Sequence, residues 1–345
     1  MRAKYFSNKL HISTLASSPY YRNLVLLRNT VEAACDEYFQ DLKAPKVDLY
    51  LIAKGISSPM SRGSDSSPIP LQLGSQSAFL VDSAQFGMEP LVCGQFNMVY
   101  CYLPSFRGEN SDHRHLNQFY HCEAELRGSY LKCMKTAENL VKHIISAVID
   151  SYRSSKFDFD THNFKEIQNI RSLKFPILTF DDAQILLKKH KLSHLIELRP
   201  YGRVLTSKGE IRLAEIVGDN KVPIWVSKYD RDVVAFYQKP DPDDPEKVLN
   251  ADLIFPSING RFGGEIIGLG QRQDNRKEML RSMKRQKIKS INSYKWYIDL
   301  RKNSKYRTTS GFGLGIERFI AWMLGLNSII DASLYPVIKN RKLDY

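Results

Sequence analysis

The segment 311–318, Gly-Phe-Gly-Leu-Gly-Ile-Glu-Arg, constrains the fold of this chain more than any other part of the sequence. Glycine at every second position weakens a strand unless a ligand or another group must approach the backbone closely. After Gly315 the apolar residues recur at helical spacing, which predicts a strand that leads directly into an amphipathic helix. Arg318 then falls in the first helical turn, where backbone N–H groups and a guanidinium can bind an anion together. The alternative is a buried glycine strand beside a structural ion pair.

The composition indicates a protein with a substantial core and no membrane span. Of the 345 residues, 43% are hydrophobic, enough for one large domain or two modest ones. No apolar run approaches the roughly 20 residues of a membrane span, and the N-terminal sequence lacks the apolar stretch of a signal peptide. Five cysteines without a Cys-x-x-Cys pair indicate reduced, mostly buried thiols. We therefore expect a cytoplasmic protein without a membrane partner.

The positive charge is concentrated in one segment of the chain. The net charge is +13, and residues 272–307 contain 13 Lys and Arg against three acidic residues. Such a segment can bind the phosphates of a nucleotide, a nucleic acid or another acidic partner. The alternative is a solvated basic helix face.

The order of the patterned segments predicts an α+β fold with an antiparallel sheet. Long amphipathic helices are expected at about 20–40 and 127–152, with short strands and turns from 78 to 103. Strand-like patterns return at 222–237 and 251–270. Because the strands come in runs and do not alternate strictly with helices, an antiparallel sheet is favoured over a doubly wound one.

Two further segments interrupt this pattern. Residues 55–77 are rich in Ser, Gly and Pro and are expected to form a long loop, too long to lack a role in a compact domain. Residues 153–220 are mixed and more polar, and we expect a small insertion with its own elements. The expected organisation is a single domain over residues 1–345.

A polar hairpin at 105–119 is the second segment with a chemical signature. Arg107, near the end of the first strand, can present a planar fork to a phosphate. Arg114 and His115 can hold another phosphate, and Phe119 on the return strand offers a face to a base. The alternative is an exposed, charged hairpin.

Two carboxylates are candidates for a metal site. Asp252 and Glu265 can meet on adjacent strands and hold Mg²⁺, which prefers a few carboxylates together with phosphate oxygens. The alternative is that both residues pair with the surplus of Lys and Arg.

Together these segments resemble the class II aminoacyl-tRNA synthetases, and in particular their asparaginyl/aspartyl branch. Residues 106–119 match the second motif of that family, and residues 311–318 match the third. The run 296–301, Trp-Tyr-Ile-Asp-Leu-Arg, is similar to the run that precedes the third motif in asparaginyl enzymes. The strands around Asp252 are similar to their metal-binding strands. The resemblance covers most of residues 78–336 and implies the family's antiparallel sheet flanked by helices.

The resemblance implies an ATP site that activates an amino acid as the aminoacyl-adenylate. Arg107 would hold the α-phosphate, while His115 and Arg318 would hold the γ-phosphate of a bent ATP. Glu109 would contact the adenine, and Phe119 would stack on it. The implied ATP-binding set is Arg107, Glu109, Arg114, His115, Phe119, Gly313, Gly315 and Arg318, with Arg107 and Arg318 as the catalytic residues and Asp252 and Glu265 as ligands of Mg²⁺.

The resemblance also implies an amino-acid pocket. Gln85 matches a glutamine that contacts the amino acid, and Arg272 matches the arginine that faces the substrate side chain. Met88 stands where aspartyl enzymes have a lysine that pairs with a carboxylate, while Glu89 matches a glutamate of asparaginyl enzymes. Because a carboxylate accepts hydrogen bonds from an amide and repels another carboxylate, Glu89 favours asparagine over aspartate. The alternative for Glu89 is a structural ion pair.

Departures from the family pattern affect the amino-acid pocket and the acyl acceptor more than the ATP site. Gln118, Thr309 and Val337 replace a glutamate, a histidine and an arginine of the pattern, and the first motif is shortened around Pro45. About 20 residues precede the first expected core helix, fewer than the roughly 100 of the family's anticodon-reading barrel. We therefore expect no N-terminal OB-fold. The family resemblance also implies a homodimer.

These features lead to one expected function and two alternatives. The expectation is a stand-alone ligase that activates asparagine or aspartate and passes the acyl group to ammonia, an amine or another small nucleophile, similar to the archaeal asparagine synthetase related to these enzymes. The first alternative is aminoacylation of tRNA or a tRNA-like RNA, with the basic segment 272–307 holding the acceptor. The second is a non-catalytic regulatory protein on the same fold.

Overall fold

A seven-stranded sheet with helices packed against it forms the centre of the computed structural model, which describes residue 6 and residues 9–58, 66–159, 163–289 and 291–343. The strands of the protein are β1 (Ile52–Ala53), β2 (Ile69–Leu73), β3 (Gln76–Leu80), β4 (Met98–Phe106), β5 (Gln118–Arg127), β6 (Ile177–Thr179), β7 (Ile196–Arg199), β8 (Gly202–Leu205), β9 (Ile224–Ser227), β10 (Asn250–Phe255), β11 (Gly264–Gln271) and β12 (Thr309–Gly315). The strand order in the seven-stranded sheet is β4-β5-β12-β11-β10-β9-β6. The helices are α1 (His11–Ser17), α2 (Pro19–Asp41), α3 (Gln85–Gly94), α4 (Tyr130–Arg153), α5 (Asn163–Ile167), α6 (Phe180–Lys189), α7 (Ser207–Val217), α8 (Arg276–Arg285), α9 (Lys295–Asp299) and α10 (Ile316–Leu324).

The sheet confirms the predicted fold class. Every pairing within it is antiparallel except that of β6 with β9, which is parallel. The parallel strand β6 comes from the expected insertion, so that segment extends the main sheet at its edge. The division of the chain into one domain with a small insertion stays a prediction.

Three helices cover one face of the sheet and bury the main core. The apolar stripes of α2, α4 and α10 contribute residues such as Leu27, Ile144 and Phe319, all fully buried against β5, β11 and β12. Burying one such side chain stabilises the fold by roughly 1.5–3 kcal/mol. Helix α10 ends at Leu324 and is followed by Gly325, whose left-handed φ of 61° favours glycine. The opposite face of the sheet is partly covered by α3, whose Met88 and Val92 pack against β4.

Two expectations about local structure were wrong. The expected loop at 55–77 contains β2 and the start of β3, which pair in a hairpin across Gly74, where φ is 58°. The expected strand-and-turn region after residue 78 contains α3, which begins at Gln85 and includes Pro90. Residues 59–65 of the first segment lie outside the described residues.

The cysteines agree with the reduced, mostly buried thiols expected from the sequence. All five cysteines are buried and none forms a disulfide. Among the described residues no helix is long and apolar enough to cross a bilayer.

A partly buried ionic cluster joins the segment 153–220 to the main sheet. Asp230, just after β9, accepts hydrogen bonds from the backbone N–H of Arg203 at 2.8 Å, from the Arg203 guanidinium at 2.6 and 2.9 Å, and from Lys247 at 2.9 Å. Burial opposes ionisation, but the bonds from Arg203 and Lys247 prevail and lower the pKa of Asp230 to about 2.

We predict that Asp230→Asn destabilises the protein in a pH-dependent way. Because the folded-state pKa of Asp230 lies below its unfolded value of roughly 3.9, its contribution of about 2 kcal/mol is present above pH 4 and is lost as the pH falls toward 2. Urea unfolding should therefore show a gap between wild type and variant at pH 7 that narrows at pH 3. The control is Asp219→Asn, which breaks an exposed pair with Lys221 and should cost less than about 0.5 kcal/mol. A gap for Asp230→Asn that is constant with pH would contradict this assignment.

Candidate active site

The floor of the candidate site is a flat patch of four glycines on two neighbouring strands. In the register of β11 with β12, Gly268 lies opposite Gly313 and Gly270 lies opposite Gly311. None of the four has a Cβ to stand above the sheet, so other groups can approach the backbone closely here. The predicted strand-to-helix junction is confirmed, with β12 ending at Gly315 and α10 starting at the next residue.

The glycines of β12 differ in what makes a side chain unfavourable. A Cβ at Gly313 would lie 3.5 Å from the nearest side-chain atom, an ordinary contact, so this position is open to the site. A Cβ at Gly311 would overlap the carboxylate of Glu125 and the guanidinium of Arg272, and would lie 2.8 Å from the backbone oxygen of Ala124. Gly311 is therefore required by a buried ion pair of the protein itself.

A first cavity, with about 580 Å³ of unfilled space, lies between the polar hairpin and the start of α10. It brings together all eight residues of the ATP-binding set predicted from the sequence. Its lining residues are Arg107, Glu109, Arg114, His115, Leu116, Phe119, His121, Glu265, Ile266, Gly313, Gly315, Glu317, Arg318 and Ile329. The cavity is thus built from β5, β11, β12 and the loop between β4 and β5.

Arg107 lies at the centre of this site, directly after the last residue of β4. Its guanidinium carbon is 5.3 Å from the centre of the Phe119 ring, a cation–π contact. Its Nε is buried and has no hydrogen-bond partner among the described residues. A buried, unpaired guanidinium N–H is costly, so this group is poised to bind an anionic ligand.

The other hairpin residues are partly engaged by the protein. Glu109 accepts a hydrogen bond from the backbone N–H of Ser67 at 3.1 Å. This bond holds residues 66–68 against the hairpin. Arg114 is buried and donates to the backbone oxygen of Gly263 and, at 3.4 Å, to Glu210. The phosphate contact predicted for Arg114 would therefore compete with bonds it already makes, and the prediction stays untested.

His115 lies at the rim of the first cavity. Its Nδ1 is 2.8 Å from Asp112. Burial, and then the charge of Arg318, lowers the pKa of His115 below 6.5. In the neutral imidazole Nδ1–H donates to the Asp112 carboxylate and Nε2 carries a lone pair. A hydrogen bond from Nε2 to a phosphate therefore requires the ring to take up a second proton.

The predicted metal ligands meet on β10 and β11. A Cβ at Gly268 would lie 3.2 Å from an oxygen of Glu265 and 3.5 Å from an oxygen of Asp252, so the two carboxylates converge on one point. Burial, and then the charge of Glu265, raises the pKa of Asp252. Burial would raise the pKa of Glu265 too, but Arg318, Arg107 and Arg114 outweigh it and lower the pKa. Two converging carboxylates fit Mg²⁺, whose other ligands would be phosphate oxygens and water. Among the described residues no cluster of three or more His, Cys, Asp or Glu could hold a metal alone.

Arg318 and Glu210 hold Glu265 in place. Arg318 donates to the Glu265 carboxylate at 3.1 Å and to its backbone oxygen at 3.2 Å. Glu210, from α7, accepts a hydrogen bond from the backbone N–H of Glu265 at 2.9 Å. The sequence did not single out Glu210, because it belongs to the expected insertion and only the folded chain brings it beside β11.

A second cavity, with about 1,090 Å³ of unfilled space, continues from the first above the glycine floor. Its lining includes the predicted amino-acid residues Gln85 and Arg272, together with Asp252 and, from the 55–77 segment, Ser57, Ser58 and Ser66. Arg272 is buried and binds Glu125 through Nε at 3.0 Å and through Nη2 at 2.7 Å. The residues common to both cavities are Arg107, His121, Glu265 and Gly313.

Glu89, predicted to read the substrate side chain, is fully buried and is not among the residues that line the second cavity. Its carboxylate accepts hydrogen bonds from the hydroxyls of Tyr297 and Tyr306 and pairs with Arg301. The carboxylate is therefore not exposed to the second cavity, and its contact with the substrate stays a prediction.

The fold is that of the catalytic core of a class II synthetase. A model of the family "tRNA synthetases class II (D, K and N)" matches residues 11–339, and the chain belongs to this family. The asparagine--tRNA ligase of Thermococcus gammatolerans is 34% identical over 270 residues, which cover 77% of this chain and 58% of that relative. The chain therefore spans a little over half the length of that relative. The asparagine--tRNA ligase of Pelotomaculum thermopropionicum is 28% identical over 92% of this chain and 70% of its own.

Solved structures support the same assignment. The asparaginyl-tRNA synthetase of Pyrococcus horikoshii complexed with asparaginyl-adenylate superposes with a TM-score of 0.84 and 28% identity, covering 98% of this chain and 74% of that one. The Entamoeba histolytica asparaginyl-tRNA synthetase, also with asparaginyl-adenylate, has the same fold, with a TM-score of 0.79 at 24% identity over 99% of this chain and 73% of that one. The predicted resemblance to the asparaginyl/aspartyl branch is confirmed.

Proposed function

We propose that this chain activates asparagine with ATP, forming asparaginyl-adenylate and pyrophosphate, and transfers the asparaginyl group to a tRNA or tRNA-like RNA. The observation that supports the first step best is the junction of the two cavities at Arg107. An ATP in the first cavity and an amino acid in the second would bring an α-phosphate and a carboxylate to the same guanidinium.

In the proposed reaction the protein acts by positioning and by charge. The substrate carboxylate attacks the α-phosphorus, the bond to the bridging oxygen of the β-phosphate breaks, and pyrophosphate leaves with that electron pair. Arg107 would bind the charge that develops on the α-phosphate, and Arg318 with His115 would hold the leaving pyrophosphate. Mg²⁺ on Asp252 and Glu265 would neutralise phosphate charge. No covalent intermediate with the protein is needed.

Transfer to RNA is favoured over the transfer to ammonia or another small nucleophile expected from the sequence. The relatives named above are asparagine--tRNA ligases. The basic segment 272–307 is a candidate for holding the RNA, although six of its 13 cations form ion pairs within the protein, namely Arg272, Arg276, Arg281, Arg285, Arg301 and Lys302. Seven others are exposed, namely Lys277, Lys284, Lys287, Lys289, Lys295, Lys305 and Arg307. A homodimeric state and a cytoplasmic location stay predictions.

The acceptor can be identified with labelled asparagine, ATP and Mg²⁺ in parallel reactions containing total tRNA, ammonium ions or neither. We expect acid-precipitable label only with tRNA, at a rate that falls several-fold as salt rises from 50 to 200 mM, because RNA binding releases counterions. Digestion of the RNA should release the label. If the chain forms the adenylate and transfers the asparaginyl group to ammonia but not to tRNA, the RNA half of the proposal is wrong.

A further inference from the structure

Two side-chain amides in the second cavity each have one atom without a hydrogen-bond partner in the part of the chain that the structure describes. Nε2 of Gln85 and Oε1 of Gln238 are both buried, both residues line the cavity, and neither atom has a hydrogen-bond partner among the described residues. An unpaired buried polar atom costs about 1–3 kcal/mol. Together the two side chains offer a donor and an acceptor to whatever occupies the cavity, and a primary carboxamide offers the complementary acceptor and donor.

Gln238 reaches the cavity because residue 270 is glycine. A Cβ at Gly270 would lie 3.0 Å from Cδ of Gln238 and 3.3 Å from its Cγ and Nε2. The backbone of Gln238 is held in a β-bridge with Arg272, the residue that follows the strand carrying Gly270. The amide of Gln238 thus packs directly over the glycine floor, in space that a larger residue at 270 would take.

Glu89, the residue predicted to contact the substrate side chain, is fully buried and does not line the cavity. Its carboxylate accepts hydrogen bonds from Tyr297 and Tyr306 and pairs with Arg301. Two of the three nitrogens of Arg272 are bound to Glu125. Gln238 is therefore an acceptor in the second cavity that the protein itself leaves unused.

We infer that Gln238 determines specificity for the amino acid, its amide oxygen accepting a hydrogen bond from the NH₂ of the substrate's side-chain carboxamide. This inference rests on the proposed function, since it assigns the second cavity to the amino acid. An aspartate carboxylate has no N–H to donate and would place a charged oxygen against the oxygen of Gln238. A site built to pair with a polar group rejects an analogue that lacks it more strongly than an apolar pocket can.

The test is Gln238→Leu, which keeps the approximate volume of the side chain and removes the acceptor. In amino-acid-dependent pyrophosphate exchange we expect kcat/KM for asparagine to fall at least about tenfold, mainly through KM for asparagine, because a buried hydrogen bond is lost. The preference for asparagine over aspartate should fall by a similar factor, while KM for ATP changes less than about twofold. Gly270→Ala, which displaces the amide without deleting it, should shift the same ratio in the same direction. The control is Gln95→Leu at the exposed end of α3, which should leave all constants unchanged.

The possible outcomes separate this inference from the function on which it rests. Wild-type exchange with asparagine together with an unchanged asparagine-to-aspartate ratio in both Gln238→Leu and Gly270→Ala would overturn the inference and leave the proposed function intact. No wild-type exchange with asparagine would overturn both. If Gln238→Leu does not fold, as judged by circular dichroism, the ratio measured for Gly270→Ala decides.

Discussion

Replacement of Arg107 with alanine is expected to lower asparagine-dependent pyrophosphate exchange by about a thousandfold or more. Arg107 lines both cavities, carries a buried Nε without a partner among the described residues, and packs over Phe119. Loss of one donor aimed at developing charge costs about 3–4 kcal/mol of transition-state stabilisation, and loss of a whole guanidinium should cost at least as much. The exchange rate at saturating ATP and asparagine measures this effect.

The effect of Arg107→Ala should be on activity and not on the fold. Its side chain forms no ion pair within the described residues, so the unfolding midpoint should change by only a few degrees. Arg107→Lys, which keeps the charge but not the planar fork, should recover a small part of the activity. Arg22→Ala on the exposed side of α2 is the control and should be fully active. Retained exchange in Arg107→Ala would show that the assignment of the hairpin is wrong.

Among alanine substitutions of the glycines in the site, Gly311→Ala is expected to destabilise the fold most. The new Cβ would overlap Glu125 and Arg272, which are buried and bonded to each other, and it would press on the backbone of β5. Separating a buried ion pair without replacing it costs about 3–5 kcal/mol. The free energy of unfolding in urea should therefore fall by about that amount.

Gly313→Ala provides a matched control on the same strand, two residues away. Its Cβ would make only an ordinary contact at 3.5 Å, so we expect a stability change below about 1 kcal/mol. Because Gly313 lines both cavities, this variant should instead weaken substrate binding. Equal destabilisation by the two substitutions would contradict the different roles assigned to the two glycines.

Gly311 and Gly313 illustrate which features of the site could be predicted from the sequence and which could not. Period and composition predicted β12, α10 and the hairpin correctly, because those patterns arise within each segment. The alternating glycines also predicted a close approach to the backbone. The pattern did not show that at Gly311 the approaching group is the Glu125–Arg272 pair, since that depends on the register of β5, β11 and β12.

Residues that join the site from distant segments could not be found in the same way. Glu210 reaches Glu265 from α7, and Gln238 enters the second cavity because of the small residue at 270. Neither belongs to a motif, and each acts through a contact between segments far apart in the sequence. Glu89 was found by resemblance, but its three partners lie more than 200 positions away. Tertiary contacts decide whether such a carboxylate is free to bind a ligand.

The central claim, that the joined cavities bind ATP and asparagine and form asparaginyl-adenylate, is tested most directly by pyrophosphate exchange. Labelled pyrophosphate, ATP and Mg²⁺ are incubated with the purified chain and each of the 20 amino acids in turn, and label in ATP is measured. We predict exchange that requires asparagine and is much weaker with aspartate. Failure of every amino acid to support exchange, or exchange with aspartate but not with asparagine, would contradict the claim.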